Sequence, residues 1–276
     1  MADSMSYAER HAKAAETFAV FAPDVAPERI AKSFANRQGA LGSFAFDVVG
    51  GMWARPQLGR RDRSLLVISA LAAQARDEEL VAHTRIGLRN GLTPAEIEEV
   101  LLHVAAYAGF PAAMASSRRI DQALRESLGV EALPDRAPSE AKSDAERDRD
   151  AADVLRTIAG APGEISGEEG LARMQGLLGE VGVTVYRFAF GDIWSRPQLS
   201  RRDRSIVVIT ILTWMGAVAE LDVHVPAGLR HGLTRVEIEE VINHLALYAG
   251  APRAVEAIRA VRAAFARLDE AKPEAR

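Results

Sequence analysis

Apolar residues recur along this chain at helical spacing, and no stretch alternates with the two-residue period of a half-buried strand. Leu65, Leu66, Ile68, Ser69, Leu71 and Ala72 follow the charged cluster Arg60-Arg61-Asp62-Arg63 and predict a broadly apolar helix. A second helix is predicted from about Glu78 to Arg89, closed by Asn90-Gly91, a pair suited to the left-handed end of a helix. Thr93-Pro94-Ala95-Glu96 reads as a capping box with proline in the first turn. Behind it, Ile97, Val100, Leu101, Val104 and Ala108 form one stripe of a third helix. Thr234, Glu237, Ile238, Val241, Ile242, Leu245 and Ala249 repeat that pattern. Near the N-terminus, roughly residues 7–35 read as an alanine-rich helix ending near Pro23 and a second short helix. The expected fold class is all-α.

The repetition is a property of the whole chain. WARPQLGRRDRSLLVISAL from Trp53 recurs as WSRPQLSRRDRSIVVITIL from Trp194, and the segment from His83 recurs from His224. Residues 53–111 align with 194–252 at a constant offset of 141 without a gap, and 33 of those 59 positions are identical. Two copies are too few for a solenoid, so the expectation is a fused pseudo-dimer of helical bundles. The division expected is a helical arm (1–35), a first copy (36–128), a charged linker (129–150) and a second copy (151–276). Residues 131–150 hold seven acids, four bases and two prolines, a composition that reads as a solvated connector.

Composition narrows the chemistry. The sequence of 276 residues has no cysteine, which removes disulfides, thiol nucleophiles and thiolate metal sites. A formal net charge of -4 argues against a nucleic-acid partner. No apolar run reaches the ~18 residues of a membrane span, and the polar start does not read as a signal peptide, so the expected location is cytoplasmic.

Six histidines remain, and four of them repeat: His83 with His224, and His103 with His244. His83 follows Glu79 by four residues and His224 follows Glu220 by four, which puts carboxylate and imidazole on one helix face. Such a pair is either a general acid/base near its reference pKa of ~6.5 or of structural use only, as a surface pair or as a buried histidine bonded to a neighbouring carbonyl. His103 with Tyr107, and His244 with Tyr248, read either as the polar wall of a pocket or as inter-helix hydrogen bonds. A metal held by Glu79, His83 and His103 is chemically feasible but nothing fixes its helices together, and no metal site is expected. The arginine-rich loop with Arg55, Arg60, Arg61 and Arg63 repeats as Arg196, Arg201, Arg202 and Arg204. It either clamps an anion or ties itself down through Asp62 and Asp203. Trp53 and Trp194, just ahead of it, read first as packing anchors and second as walls of a binding pocket.

These motifs together resemble the carboxymuconolactone decarboxylase family. The resemblance rests on W-S-R-P, R-D-R-S, E-L-x-x-H and G-L-T-x-x-E-I-E-E-V-x-x-H-x-A-x-Y-A-G-x-P, and covers about residues 44–124 and 168–265. It implies an all-helical bundle assembling through pseudo-symmetric copies, here as a homotrimer of pseudo-dimers. The family's alkylhydroperoxidase branch carries C-x-x-C ahead of the histidine; this chain has Arg76 and Glu79, and Ala217 and Glu220, at those positions. That branch's glutamate is Ser64 and Ser205 here. The resemblance is therefore to the decarboxylase branch, which acts without a cofactor in aromatic-ring catabolism.

On that resemblance His83 is the expected proton donor with Glu79 orienting it, and His224 with Glu220 the second such pair. Arg63, Arg76 and Arg85 are the expected anion binders. His103, Tyr107, Trp53, Trp194, Arg204 and His244 complete the binding candidates for a small anionic substrate. The copies differ: Ala217 and Pro226 replace Arg76 and Arg85, and Trp214, Met215, Val218, Val223 and Val225 make the second helix more apolar. Copy 1 is thus the expected anion site, and Pro226 is expected to kink its helix. Two rival readings stay open. One is another acid/base reaction, such as cyclisation, isomerisation or lactone opening; the other is a non-catalytic scaffold.

Overall fold

The computed structural model describes residues 5–131, 133, 141–160 and 163–271, and every regular element among them is helical. No helix among the described residues is long and apolar enough to cross a membrane. The chain forms two compact units, Met1–Arg63 and Ser64–Arg276. The boundary falls inside a helix of the first copy, not at the charged linker.

The first unit contains α1 (Tyr7–Phe21), α2 (Pro27–Gln38), α3 (Ala40–Phe44), a π-helical segment (Ala45–Val49), α4 (Gly50–Trp53) and the first turn of α5 (Arg60–Gln74). Ser6 and Glu9 start α1 with a reciprocal capping box. Phe18 stacks on Phe46 at 4.8 Å, and Phe21 meets Trp53 edge-on at 4.7 Å.

The second unit contains the rest of α5, then α6 (Asp77–Arg89), α7 (Pro94–Tyr107), α8 (Phe110–Leu128), α9 (Asp144–Ala159), α10 (Gly167–Leu178) and α11 (Glu180–Thr184). A second π-helical segment (Val185–Trp194) leads to α12 (Arg201–Met215). After it come a 3-10 turn (Val218–Glu220), α13 (Leu221–Arg230), α14 (Arg235–Leu245) and α15 (Ala251–Glu270). The capping boxes at Thr93 and Thr234 form as the sequence predicts. Ile206 to Ile209, Ile211 and Leu212 are buried all round α12, which is the core helix of this unit. It packs against α13, α14 and α7, so an element of the second copy meets an element of the first.

Part of the expected linker is ordered structure. Residues 132 and 134–140 lie outside the described residues, but Asp144 onward is α9, opened by a Ser143–Glu146 capping box. Its charges have partners rather than solvent alone: Arg147 Nε donates to Asp192 at 3.0 Å, and Arg187 Nε and Nη2 donate to the two carboxylate oxygens of Asp148 at 2.8 and 2.9 Å. The apolar face follows one turn later with Ala151, Val154, Leu155 and Ile158, all buried. Pro226 does not break α13, which runs continuously through it. The second copy departs upstream instead: Val218–Glu220 is a 3-10 turn where the first copy begins α6 with Asp77, Glu78 and Glu79 in its opening turn. Those three carboxylates favour a full α turn at a helix N-terminus, and Val218 and Ala219 do not.

The paired glycines locate one difference in length between the copies. A Cβ on Gly42 would fall 2.0 Å from the Phe34 carbonyl oxygen, and one on Gly182 would fall 2.1 Å from that of Met174. Those sites are therefore equivalent, 140 residues apart. Gly50 and Gly191 are 141 apart, and each lies against the backbone of a first helix, at Ala14 and Arg147. Copy 2 thus holds one extra residue between these glycines, inside an unbroken helical rod. Widening i→i+4 bonding to i→i+5 absorbs it, and the π segment grows from five residues in copy 1 to ten in copy 2, ending on Trp194.

Candidate functional site

The repeated histidines gather in two clusters, and each cluster is built from both copies. In the first, His83 of α6 meets Tyr248 edge-on, with ring centroids 5.8 Å apart at 83°. Tyr248 in turn stacks on His244 at 5.5 Å, and Gln74 Nε2 donates to the Tyr248 carbonyl at 3.3 Å. In the second, His224 of α13 meets Tyr107 edge-on at 5.6 Å and 75°. So His83 and His103, though in one copy, face different partners.

The second cluster centres on Trp194. Its indole N–H donates to the Tyr107 hydroxyl at 2.9 Å. Its ring lies near those of His224 (6.2 Å, 20°), His103 (5.4 Å) and His231 (5.7 Å). Edge and stacked contacts of this kind hold rings at defined angles in an apolar environment. Trp194 is thus both packing anchor and wall.

Burial sets the proton affinities. Desolvation pulls His83 from 6.5 to about 4, and it does the same to His224 with help from the nearby His231. His103 is held well below its ordinary value by burial, then by the charge of Arg204 and by His224. Tyr107 is pushed above its usual range by burial, opposed by the Trp194 hydrogen bond and reinforced by Glu220. His83, His103 and His224 therefore rest as neutral imidazoles at pH 7, below the near-neutral acid expected from the Glu–His spacing. Glu79 is exposed in the first turn of α6, and Glu220 is exposed at the end of the 3-10 turn, where its charge acts on Tyr107. His83 keeps part of its surface open.

The arginines fall into two groups. Arg63 is fully buried and donates to the carbonyls of Leu58 and Arg55 at 3.1 and 2.7 Å. Arg204 repeats this with Leu199 and Arg196 at 3.0 and 2.8 Å, so each tethers its own loop. Arg204 Nη2 also donates to Glu99 Oε2 at 2.9 Å, and Arg196 Nε to Glu99 Oε1 at 2.6 Å. Arg85, by contrast, pairs with Glu126 of α8, and Arg76 is exposed at the N-cap of α6. The anion site expected at Arg76 and Arg85 thus gains no support from their placement.

Two participants escaped the sequence. Glu99 sits in the run E-I-E-E, which resembles a solvated helix face; its reappearance as Glu240 was the available signal. His231 looked like a singleton, yet Nδ1 lies 2.8 Å from Ser205 Oγ and Nε2 3.2 Å from Thr157 Oγ1. Its counterpart Asn90 donates to Ser64 Oγ at 2.9 Å. No group of three or more His, Asp or Glu side chains among the described residues is placed to hold a metal ion.

A tandem all-helical protein with paired, buried His–Tyr contacts is the class that fold and site define. The chain belongs to the carboxymuconolactone decarboxylase family, whose pattern matches residues 40–122 and 180–263, together more than half of it. Over 81 residues it is 41% identical to the 4-carboxymuconolactone decarboxylase of Acinetobacter baylyi, a match covering 29% of this chain and 60% of that protein. Over 74 residues it is 34% identical to the nitrosuccinic acid decarboxylase npaB of Metarhizium robertsii, covering 27% of this chain and 52% of that protein. The matches therefore span little more than half the length of these relatives.

Proposed function

We propose that this protein is a cofactor-independent decarboxylase of a lactone or other carboxylic acid with a conjugated electron acceptor, working at the cross-copy His–Tyr pairs. The observation that supports it most is the pairing of His224 with Tyr107 near the buried Arg204–Glu99 pair, which Arg196 joins. The names of both relatives specify removal of a carboxyl group from an acid that also carries an electron-withdrawing function, a lactone in one and a nitro group in the other.

The chemistry uses what the site offers. The C–C bond to the leaving carboxylate breaks, carbon dioxide departs, and the electron pair moves into the conjugated acceptor. A water-poor aromatic pocket favours loss of charge from the carboxylate, and a donor at the acceptor oxygen steadies the enolate. A proton must then reach carbon. The imidazole is neutral at rest, but a bound carboxylate within ~4–6 Å favours its charged form. Substrate binding thus favours uptake of one proton from solvent by the ring, the imidazolium passes it to carbon, and the ring returns to neutral. The sequence offers no cysteine for thiol chemistry. We place the principal site at His224, where a buried cation is at hand, and the secondary one at His83.

The test is carbon dioxide release from 4-carboxymuconolactone by wild type, His83→Ala and His224→Ala. Loss of a general acid is worth 10²–10⁴-fold, so His224→Ala is expected to fall at least ~100-fold and His83→Ala less than ~10-fold. The reverse order moves the reaction to the first cluster. No turnover by wild type sinks the decarboxylase reading for this substrate and leaves the more apolar α13 environment, with Val225 and Pro226, to favour a different acid/base reaction.

A further inference from the structure

Charge and hydrogen bonds do not balance in the second cluster. Glu99 is almost fully buried and spends both carboxylate oxygens on two guanidiniums, those of Arg196 and Arg204. That leaves one positive charge over within the trio. Arg204 is fully buried; Nε and Nη2 are satisfied, while Nη1 has no hydrogen-bond partner among the described residues. His103 is equally buried, and neither of its ring nitrogens has such a partner; nor has Nδ1 of His224. Buried polar groups are almost always satisfied, and an orphan group costs ~1–3 kcal/mol. Here the orphans are neighbours: His103 and His224 both lie against the Trp194 ring, and the charge of Arg204 acts on His103.

We propose that Arg204 Nη1, His103 and His224 Nδ1 form a buried subsite for a carboxylate group of the ligand, walled by Trp194 and built from both copies. It rests on the carboxylic-acid reading above and gives that reading an anchor, distinct from Arg76 and Arg85. Only an anion supplies acceptors for guanidinium and imidazole donors together while cancelling the surplus charge. A carboxylate held by a guanidinium is stabilised in the ground state, so this one is retained, and the carboxylate that leaves is another. Glu99 is a positioning residue: it fixes Nη2 so that the planar guanidinium has one orientation. The charged and titratable groups acting on His103 are Arg204 of α12 and His224 of α13. A carboxylate there reverses the net effect of its neighbours and favours a proton on the ring.

Succinate is the probe, because it carries two carboxylates and no conjugated acceptor. Isothermal titration is expected to show binding of succinate and none of succinamide. His103→Gln is expected to weaken succinate by at least about tenfold, the loss of one charged hydrogen bond. Arg204→Lys keeps a charge for Glu99 while deleting the second guanidinium nitrogen, and is expected to act alike. Without any variant, succinate is expected to shift the imidazole resonances of His103. Absence of succinate binding, an unmoved His103 resonance, or weakening by Arg85→Gln but not by His103→Gln overturns the subsite. The two readings fail separately. Succinate binding that needs His103, without turnover of 4-carboxymuconolactone, removes the decarboxylase and keeps the subsite; turnover with unchanged KM in His103→Gln does the opposite.

Discussion

The helix that carries His83 and the helix that carries His224 are copies of one sequence, yet residues 77–89 and 218–230 differ at 7 of 13 positions. Both present the imidazole edge-on to a tyrosine of the other copy, at 5.8 and 5.6 Å. Both rings are neutral, with pKa values near 4. Around them, Thr84 has become Val225, Arg85 has become Pro226, and Asn90 has become His231. The helix start has changed from an acidic α turn to a 3-10 turn. What persisted is the cross-copy ring pair; what drifted is its surroundings. On the function proposed above, that division separates a proton-handling pair from the residues that select its ligand.

The comparison breaks most readily at Glu99. Glu99→Gln leaves two guanidiniums without a counter-charge, one of them fully buried. Breaking a buried pair costs about 3–5 kcal/mol, so urea unfolding is expected to show a loss of that size. A loss below about 1 kcal/mol, the range of exposed pairs, would mean the group is solvated.

The pH dependence of stability sharpens it next. His83, His224 and His231 all have folded pKa values near 4 against an ordinary 6.5. Between those values the unfolded chain binds more protons than the folded one. Stability is therefore full above pH ~6.5 and is lost as pH falls toward 4. Each such group contributes a slope of up to about 1.4 kcal/mol per pH unit, and His103, also held low by burial, adds to the three. His231→Asn, which installs the residue of copy 1, is expected to flatten the slope by up to about 1.4 kcal/mol per pH unit in the same window. An unchanged slope would show that His231 titrates normally.

The pairing of copies has its own signature. Tyr107→Phe strands the Trp194 N–H and is expected to cost ~1–3 kcal/mol. In kcat it is expected to be non-additive with His224→Ala and additive with His83→Ala, since only the first two share a contact. Additivity in both combinations would dissolve the clusters as units. The smallest effect concerns the turn before each helix. Ala75 sits at φ 52, whereas its counterpart Gly216 sits at φ 75. Ala75→Gly is expected to stabilise by about 1 kcal/mol, the cost of the left-handed region for an L residue, read from the unfolding midpoint.

Much of the fold was legible because it is locally written. The Thr93 and Thr234 caps, the Asn90-Gly91 stop and the apolar stripes are short-range signals, and the constant offset doubled their weight. The start of α9 was also written, in Ser143 and Glu146, but its first two turns carry so many charges that the segment read as solvent-facing. Those charges pair with Arg187 and Asp192, 39 and 45 residues away, which no local pattern reports. The ten-residue π segment was invisible for another reason: over so short a span its period is not separable from 3.6. In the candidate site, His83, His224, Tyr107 and Tyr248 were visible as residues but not as cross-copy partners. Which helix of one copy meets which helix of the other is decided by packing such as that of α7 on α12, which the Glu–His spacing within one helix does not report.

The exchange of partners between copies has a consequence for how such a chain diversifies. In a homodimer of a single copy, every substitution is inherited by both sites at once, so a change that improves one function taxes the other. Joined in one polypeptide, each cluster draws on its own histidine and its own tyrosine, while neither is whole without the other half. Gene fusion here fixes the stoichiometry at one to one and lets two once-identical sites follow separate histories under one selection for folding.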